Sequence, residues 1–118
     1  MDKKPEVFYS EKIVIVNSNT RGCYQTNDAL VDRLSTDDFT KESLKMVDRI
    51  NFCVYEENCY CDRPSPLILE QTISAPHMHA KAIEYLQEKL VPGASVLDVG
   101  SGSGILTAIY GKRVQVDN

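Results

Sequence analysis

The sequence predicts an α/β fold in which N-terminal helices precede the first strand of a doubly wound parallel sheet. Residues Ser95–Val99 contain a short apolar run, which is typical of a parallel strand covered on both faces. A glycine-rich turn, Gly100–Gly104, follows at once and leads into a segment that favours a helix. Upstream, two runs with helical spacing of apolar residues predict a pair of helices.

The glycine turn is typical of a nucleotide-cofactor site, because a ligand can touch the backbone where no Cβ intervenes. Its spacing is Gly-x-Gly-x-Gly, whereas the dinucleotide fingerprint places the third glycine one position later. Asp98 lies two residues before the first glycine. A carboxylate there opposes a pyrophosphate and suits a cofactor with a cationic amino-acid end, such as S-adenosylmethionine. The alternative is a plain connection with flexible glycines.

Composition narrows the function classes. The 118 residues allow at most one small domain, and 42% hydrophobic with 25% charged residues is ordinary for a soluble globular protein. A net charge of −4 without a basic cluster does not indicate a nucleic-acid partner. No apolar run approaches a membrane span, and no secretory pattern is present, so we expect no membrane partner and a cytoplasmic location. The four cysteines include no Cys-x-x-Cys, which favours reduced thiols and no metal site.

We divide the chain into an extension over residues 1–22, which has little readable pattern, and a domain over residues 23–118. The first predicted helix of the domain is capped by one of the residues Thr26–Asp28. The second is capped by Thr40.

Residues 51–70 are expected to be irregular, since Pro64 and Pro66 exclude a continuous helix. Within this stretch Leu67–Leu69 predicts a short strand or a buried crossing segment. Tyr60 and Asp62 either face a ligand or anchor the loop, and anchoring is the interpretation we favour.

A third helix is predicted to begin after a Ser74 cap, with Pro76 in its first turn, and to end near Leu90. His79 falls on the apolar, inward stripe of this helix, while His77 faces elsewhere. The two histidines therefore do not converge on a metal ion. Taken alone, His79 is a hydrogen-bonded core histidine and Ser74 is a cap.

Two blocks carry a family resemblance. Thr72–Ala80 (TISAPHMHA) and Val96–Gly104 (VLDVGSGSG) together closely resemble the protein-L-isoaspartate (D-aspartate) O-methyltransferases, and Tyr60–Pro64 fits the same pattern. The glycine block is shared by many methyltransferases, whereas the first block is specific. The resemblance covers residues 24–109. It implies a truncated class I (Rossmann-like) S-adenosylmethionine-dependent methyltransferase, with the N-terminal helices and the first strand or strands of the sheet.

The resemblance implies a reaction. The family transfers a methyl group from S-adenosylmethionine to the free carboxylate of L-isoaspartyl and D-aspartyl residues in damaged proteins. The ester then collapses to a succinimide, whose hydrolysis returns some normal aspartate. Because such a carboxyl group has a pKa of about 4, it is already anionic at neutral pH. The site therefore mainly aligns the reactants and excludes water. The resemblance also implies a monomer.

Site residues follow from the same resemblance. Ser74 matches the active-site serine, whose hydroxyl would hydrogen-bond the reacting carboxylate. Asp98 would orient the ammonium group of the cofactor. The positions that match cofactor contacts are Gln71, Thr72, Ile73, Ser74, His79, Asp98, Gly100, Gly102 and Ser103.

The chain departs from the family pattern in two places. Ile68 stands where the family usually has a glycine, which predicts a rearranged loop. The sequence ends at Asn118, short of the family's length, and Val114–Asp117 predicts a second strand. In that strand Asp117 is either a ribose ligand or part of a tail that leaves the family sequence. Two alternatives to the family's activity stay open: a non-catalytic fragment, and another class I methyltransferase with a different nucleophile.

Overall fold

A computed structural model describes residues 22–116. The extension over residues 1–22 lies outside the described residues except for Gly22, and so does Asp117. The helices are α1 (Asn27–Asp32), α2 (Asp38–Lys45), α3 (Pro76–Leu86) and α4 (Ile105–Val114). Two short strands, β1 (Ser65–Pro66) and β2 (Thr72–Ile73), pair antiparallel with Ser65 opposite Ile73. Single 3₁₀ turns span Arg49–Phe52, Glu56–Asn58 and Gln87–Lys89. None of the described helices has the length and apolar character to cross a membrane.

The first two helices begin at side-chain caps. The Thr26 hydroxyl accepts a hydrogen bond from Ala29 N (3.0 Å), which confirms the predicted start of α1. In α2 the cap is Asp37, whose Oδ1 accepts from Thr40 N at 2.8 Å. The prediction of Thr40 as the cap was wrong, because the carboxylate three residues earlier satisfies the free N–H and Thr40 itself is fully buried.

The core lies between the helices and β2. Its buried members are Val31, Leu34, Leu44, Ile73, Ala80, Ile83, Leu90, Ile105, Ile109 and Tyr110. Arg113 of α4 fastens that helix to α2: its Nε donates to Ser43 Oγ (2.8 Å), and its guanidinium lies 3.9 Å from the centre of the Phe39 ring. The helices that precede the glycine turn and the helix that follows it therefore share one core.

Helix α3 follows Ala75, which has extended backbone and makes no side-chain cap. Ser74 was the predicted cap, and the helix instead uses Pro76 at its start, where the missing N–H costs nothing. The 3₁₀ turn continues α3 to Leu90, which confirms the predicted end. His79 is 6% exposed, so its inward position is confirmed.

The predicted strand over Ser95–Val99 is absent from the secondary structure of the described residues. Leu97 and Val99 are 85% and 83% exposed. A parallel strand needs neighbours on both edges and helices on both faces, and no described segment pairs with this one. The predicted strand beginning at Val114 is also wrong over its described residues, since Val114 is the last residue of α4 and no strand includes Gln115 or Val116.

A tight turn joins β1 to β2. Gln71 N donates to Ile68 O (3.2 Å), and the two residues between them, Leu69 and Glu70, have φ of 58° and 60°. This left-handed pair is the backbone of a two-residue hairpin, a position that glycine and asparagine usually take. Leu67–Leu69 is therefore neither a strand nor a buried crossing, and Ile68 and Leu69 are exposed. The left-handed residues are the two that follow Ile68.

Two of the four cysteines form a disulfide. Cys23 pairs with Cys61 across an antiparallel bridge, which Asp62 N closes by donating to Gly22 O at 2.7 Å. The expectation of reduced thiols is wrong for this pair, because residues 38 apart in sequence meet through a bridge that no local pattern reveals. Cys53 and Cys59 are free thiols.

Candidate functional site

The three glycines of the turn have left-handed backbone. Gly100, Gly102 and Gly104 have φ of 77°, 58° and 95°, a region that side chains with a Cβ rarely adopt. A Cβ placed on Gly100 or Gly104 would meet no atom within 4 Å, and one on Gly102 would lie 3.9 Å from Thr72 O. The turn thus presents bare backbone to open space on one side and approaches the Thr72 backbone on the other.

Helix α4 begins at this turn. Gly104 is its N-cap residue and supplies no side-chain cap. Gly104 N donates to Ser101 O (2.9 Å), which fixes the turn, while the N–H groups of the first helical turn keep their capacity to donate. Ser103 is exposed beside them.

Asp98 is held in place at the start of the turn. Thr107 of α4 donates from Oγ1 to Asp98 Oδ2 at 2.6 Å, so the segment before the turn is tied to α4. The carboxylate is half-buried. Burial lowers the pKa of His79, and the negative charge of Asp98 opposes that change. Burial raises the pKa of Tyr110, and the Asp98 charge raises it further. One oxygen of Asp98 remains for a cationic group.

The segment that carries Ser74 lies next to the turn. Gln71, Thr72 and Ser74 are exposed, whereas Ile73 is 3% exposed and belongs to the core. The side chain of Ile73 therefore cannot reach a ligand, and only its backbone is left for such a contact. The Ser74 hydroxyl makes no hydrogen bond with the described residues, and Ser74 O accepts from Arg49 Nη2 at 2.9 Å.

His79 lies behind this segment, against Arg49. Arg49 Nη1 is 3.5 Å from His79 Nδ1. Burial, and then the Arg49 charge, lower the pKa of His79 from 6.5 to about 4, with Asp98 acting in the opposite sense. The imidazole is therefore uncharged at neutral pH.

His77 points away from His79, as predicted. Asp62 Oδ1 accepts a hydrogen bond from His77 N (3.0 Å), and the same oxygen lies 2.8 Å from His77 Nδ1. Tyr60 donates to Asp48 Oδ1 at 2.5 Å. Tyr60 and Asp62 thus anchor the loop before β1, which confirms the favoured interpretation. Within residues 22–116 no cluster of His, Cys, Asp or Glu is placed to hold a metal ion.

Sequence reasoning missed Arg49, Thr107 and Tyr110. Arg49 stands between Asp48 and Ile50 in a stretch of mixed charge, where an arginine is usually solvated, and nothing local indicates its burial. Thr107 and Tyr110 lie three residues apart on α4, where Thr107 is exposed and Tyr110 is buried. Helical spacing behind the glycine turn was the one signal that would have found them.

Comparison with known proteins places these features in a family. The family model described as protein-L-isoaspartate(D-aspartate) O-methyltransferase (PCMT) matches residues 25–118. A protein-L-isoaspartate O-methyltransferase of Triticum aestivum is 42% identical over 98 residues, covering 79% of this chain and 43% of the relative. One of Caenorhabditis elegans is 44% identical over 99 residues, covering 80% of this chain and 43% of the relative.

A solved structure is similar in fold. A crystal structure of a protein-L-isoaspartate O-methyltransferase from Plasmodium falciparum, in complex with S-adenosyl-L-homocysteine, superposes with a TM-score of 0.71 at 34% identity. The match covers 77% of this chain and 43% of that one. The fold is that of part of a Rossmann-like methyltransferase, and the chain spans less than half the length of the relatives it matches. On these matches, the chain belongs to the protein-L-isoaspartate (D-aspartate) O-methyltransferase family.

Proposed function

We propose that this chain contributes the cofactor turn and the substrate-orienting serine for methyl transfer from S-adenosylmethionine to the free carboxylate of L-isoaspartyl and D-aspartyl residues in damaged proteins. The observation that carries the proposal is the placement of Ser74 on the exposed segment that approaches the glycine turn at Thr72. The Ser74 hydroxyl bonds to none of the described residues, and the three glycines of the turn are left-handed. Family membership and a relative in complex with S-adenosyl-L-homocysteine support it.

The residues present fit such a cofactor. The open space over Gly100 and Gly104 admits a ligand against backbone N–H groups, and Asp98 offers a carboxylate already oriented by Thr107. When bound, S-adenosylmethionine supplies a methyl group on a cationic sulfonium. We assign its binding to the residues Gln71, Thr72, Ile73 (backbone), Ser74, His79, Asp98, Gly100, Gly102 and Ser103.

Ser74 acts on the substrate. The isoaspartyl carboxylate is anionic at neutral pH, so no general base is required. The Ser74 hydroxyl would donate to one carboxylate oxygen and leave the other free as the nucleophile that accepts the methyl group of the cofactor. The serine therefore orients the nucleophile and forms no covalent bond. Its backbone is fixed from behind by Arg49, which keeps the hydroxyl on the exposed side.

Partners and location are part of the same proposal. The substrates are proteins and peptides that contain isoaspartate, the chain acts as a monomer, and it requires no nucleic acid or membrane. A cytoplasmic location stays a prediction, and the Cys23–Cys61 disulfide is the observation against it, since such bonds are rare in a reducing compartment.

A non-catalytic role is the second candidate. Leu97 and Val99 expose most of their apolar surface, and the chain spans under half the length of its relatives. An isolated chain with this surface is expected to self-associate, and a catalytic assembly would need further strands to cover it.

The test is labelled-methyl transfer from S-adenosylmethionine to an isoaspartyl peptide, with the normal aspartyl peptide alongside. We expect transfer to the isoaspartyl peptide alone and a loss of about tenfold or more in Ser74→Ala, because one hydrogen bond to a charged group is removed. Ser35→Ala, at an exposed serine outside the proposed site, is the matched control and should be unchanged.

Each other outcome is informative. Equal transfer to both peptides indicates another class I methyltransferase. No transfer, from a chain that nevertheless binds S-adenosylhomocysteine, contradicts catalysis by these 118 residues alone and favours the non-catalytic candidate.

A further inference from the structure

Arg49 is a buried cation, and Asp62, whose charge raises its pKa, makes no ion pair with it. Its side chain is 2% exposed, and no carboxylate of residues 22–116 forms an ion pair with it. Burial lowers its pKa, while the guanidinium stays charged at any physiological pH. Taking a charge out of water is costly unless its donors are satisfied, so the contacts of Arg49 deserve a functional explanation.

Three contacts radiate from the guanidinium. Nε donates to Cys59 O (2.8 Å), Nη2 donates to Ser74 O (2.9 Å), and Nη1 faces His79 Nδ1 at 3.5 Å. They join the loop before β1, the segment before α3 and the first turn of α3. Two of the three reach residues of the proposed site.

Arg49 is itself fixed by Asn27 of α1. Arg49 N donates to Asn27 Oδ1 (3.1 Å), and Asn27 Nδ2 donates to Leu44 O (3.2 Å) and Val47 O (3.0 Å). The amide thereby ties α1, the end of α2 and the Arg49 turn together. The guanidinium is held in one place before any ligand arrives.

The contact with His79 sets the state of the imidazole. A guanidinium only donates, so a hydrogen bond across this contact requires Nδ1 as the acceptor and the ring proton on Nε2. A protonated imidazole would carry hydrogen on both nitrogens and lose this bond. The charged groups that act on His79 are Arg49, on one side, and Asp98, whose carboxylate lies toward the glycine turn.

We propose that Arg49 is a positioning residue: it holds His79 as the neutral Nε2–H tautomer and fixes the backbone of Ser74, so that both site residues are set before the cofactor and substrate bind. This inference rests on the proposed function, since His79 and Ser74 are the groups it serves. Arg49 is nearly inaccessible and touches neither ligand. Arg49 acts through His79 and Ser74, the two residues that are proposed to contact the ligands.

The test is the tautomer and titration of His79, read from the ¹⁵N shifts of its ring in the labelled 118-residue chain. The chain has two histidines, so His77→Gln assigns the spectrum. We expect an Nε2–H tautomer in the wild type, with titration near pH 4. Arg49→Met removes the charge and the donors, and the pKa of His79 should rise by about one unit or more.

Two further variants separate positioning from general destabilisation. Arg49→Lys keeps a charge but cannot form the three contacts, because an ammonium lacks the planar fork. Arg113→Met removes the other well-packed arginine, which contacts α2 and not His79. We expect mixed tautomers and a roughly tenfold higher Kd for S-adenosylhomocysteine in Arg49→Lys. Arg113→Met should show the wild-type tautomer and a Kd within twofold.

The proposal is overturned by an Nδ1–H tautomer in the wild type, a result that needs no variant to fold. It is also overturned if His79 titrates identically in wild type and Arg49→Met, or if Arg49→Lys binds the ligand normally despite a changed tautomer. A wild-type chain with the expected tautomer that binds no cofactor contradicts the proposed function instead. In that case the arrangement of Arg49 and His79 stands as a feature of the fold.

Discussion

The helical unit around Arg49 and the segment Ser95–Gly104 differ in how far the described residues complete them. In the helical unit, α1, α2 and α3 bury their apolar faces, and the Arg49 side chain donates hydrogen bonds to Cys59 O and Ser74 O. In the second, Leu97 and Val99 face outward and no strand pairs with the segment. The two halves of the proposed site thus have different support: Ser74 and His79 belong to a packed unit, whereas Asp98 and the glycines depend mainly on α4.

The sharpest way to test this difference is a matched pair of truncations. Ile83→Ala deletes a side chain that is fully buried in α3, and we expect the free energy of unfolding to fall by about 2–5 kcal/mol. Leu97→Ala removes the same number of carbon atoms from a residue that is 85% exposed, and we expect a change within about 0.5 kcal/mol. Urea unfolding followed by circular dichroism measures both.

A large loss in Leu97→Ala would break the comparison. It would show that the segment is covered in solution, for instance by a second copy of the chain. Running the same unfolding at several protein concentrations identifies that case, because association makes the midpoint depend on concentration.

Acid should weaken the packed unit through His79. The pKa of His79 is about 4 in the folded chain and 6.5 as its ordinary value, so the unfolded state binds more protons between these pH values. Stability from this group is therefore fully present above pH 6.5 and is lost as the pH falls toward 4. The difference in pKa corresponds to at most about 3 kcal/mol.

Carboxylates titrate in the same range, so the measurement is a difference. The free energy of unfolding is followed from pH 7 to pH 4 in wild type and in His79→Gln, and the wild type should lose more. Equal slopes in wild type and His79→Gln would contradict a neutral, buried His79.

The contrast between the regions also explains what the sequence could predict. Helix α3, its end at Leu90 and the inward position of His79 follow from spacing along one element, and they were predicted correctly. The cap of α2 depends on which of several neighbouring side chains reaches a free N–H, which spacing alone does not decide, and α3 begins after Ala75 without a side-chain cap. The apolar run at Ser95–Val99 predicted a strand before the glycine turn, and the structure has a connection without strand pairing there. A strand, however, is made by its neighbours, and no local pattern supplies them.

The site divides in the same way. The residues that the sequence indicated, from Gln71 to Ser103, all lie on or beside the glycine turn and the segment before α3, apart from the buried side chains of Ile73 and His79. The residues that hold them were not indicated. Arg49 reaches Ser74 across 25 positions and His79 across 30, and Cys23 reaches Cys61 across 38. Such contacts depend on the tertiary fold, in which residues far apart in sequence become neighbours.

The smallest predicted effects come from two glycine-to-alanine substitutions, one on the left-handed backbone of the turn and one within α4. Gly100→Ala places a Cβ on left-handed backbone (φ 77°) and should cost about 1 kcal/mol even though the added carbon meets no atom within 4 Å. Gly111→Ala lies within α4, where its Cβ also meets nothing, and should stabilise the chain by about 0.5–1 kcal/mol. The two substitutions add the same methyl group to open space, so opposite signs in urea unfolding isolate the backbone conformation as the cause. Stabilisation by both substitutions would show that the turn relaxes out of its left-handed form, and the preformed cradle for a cofactor would then be lost.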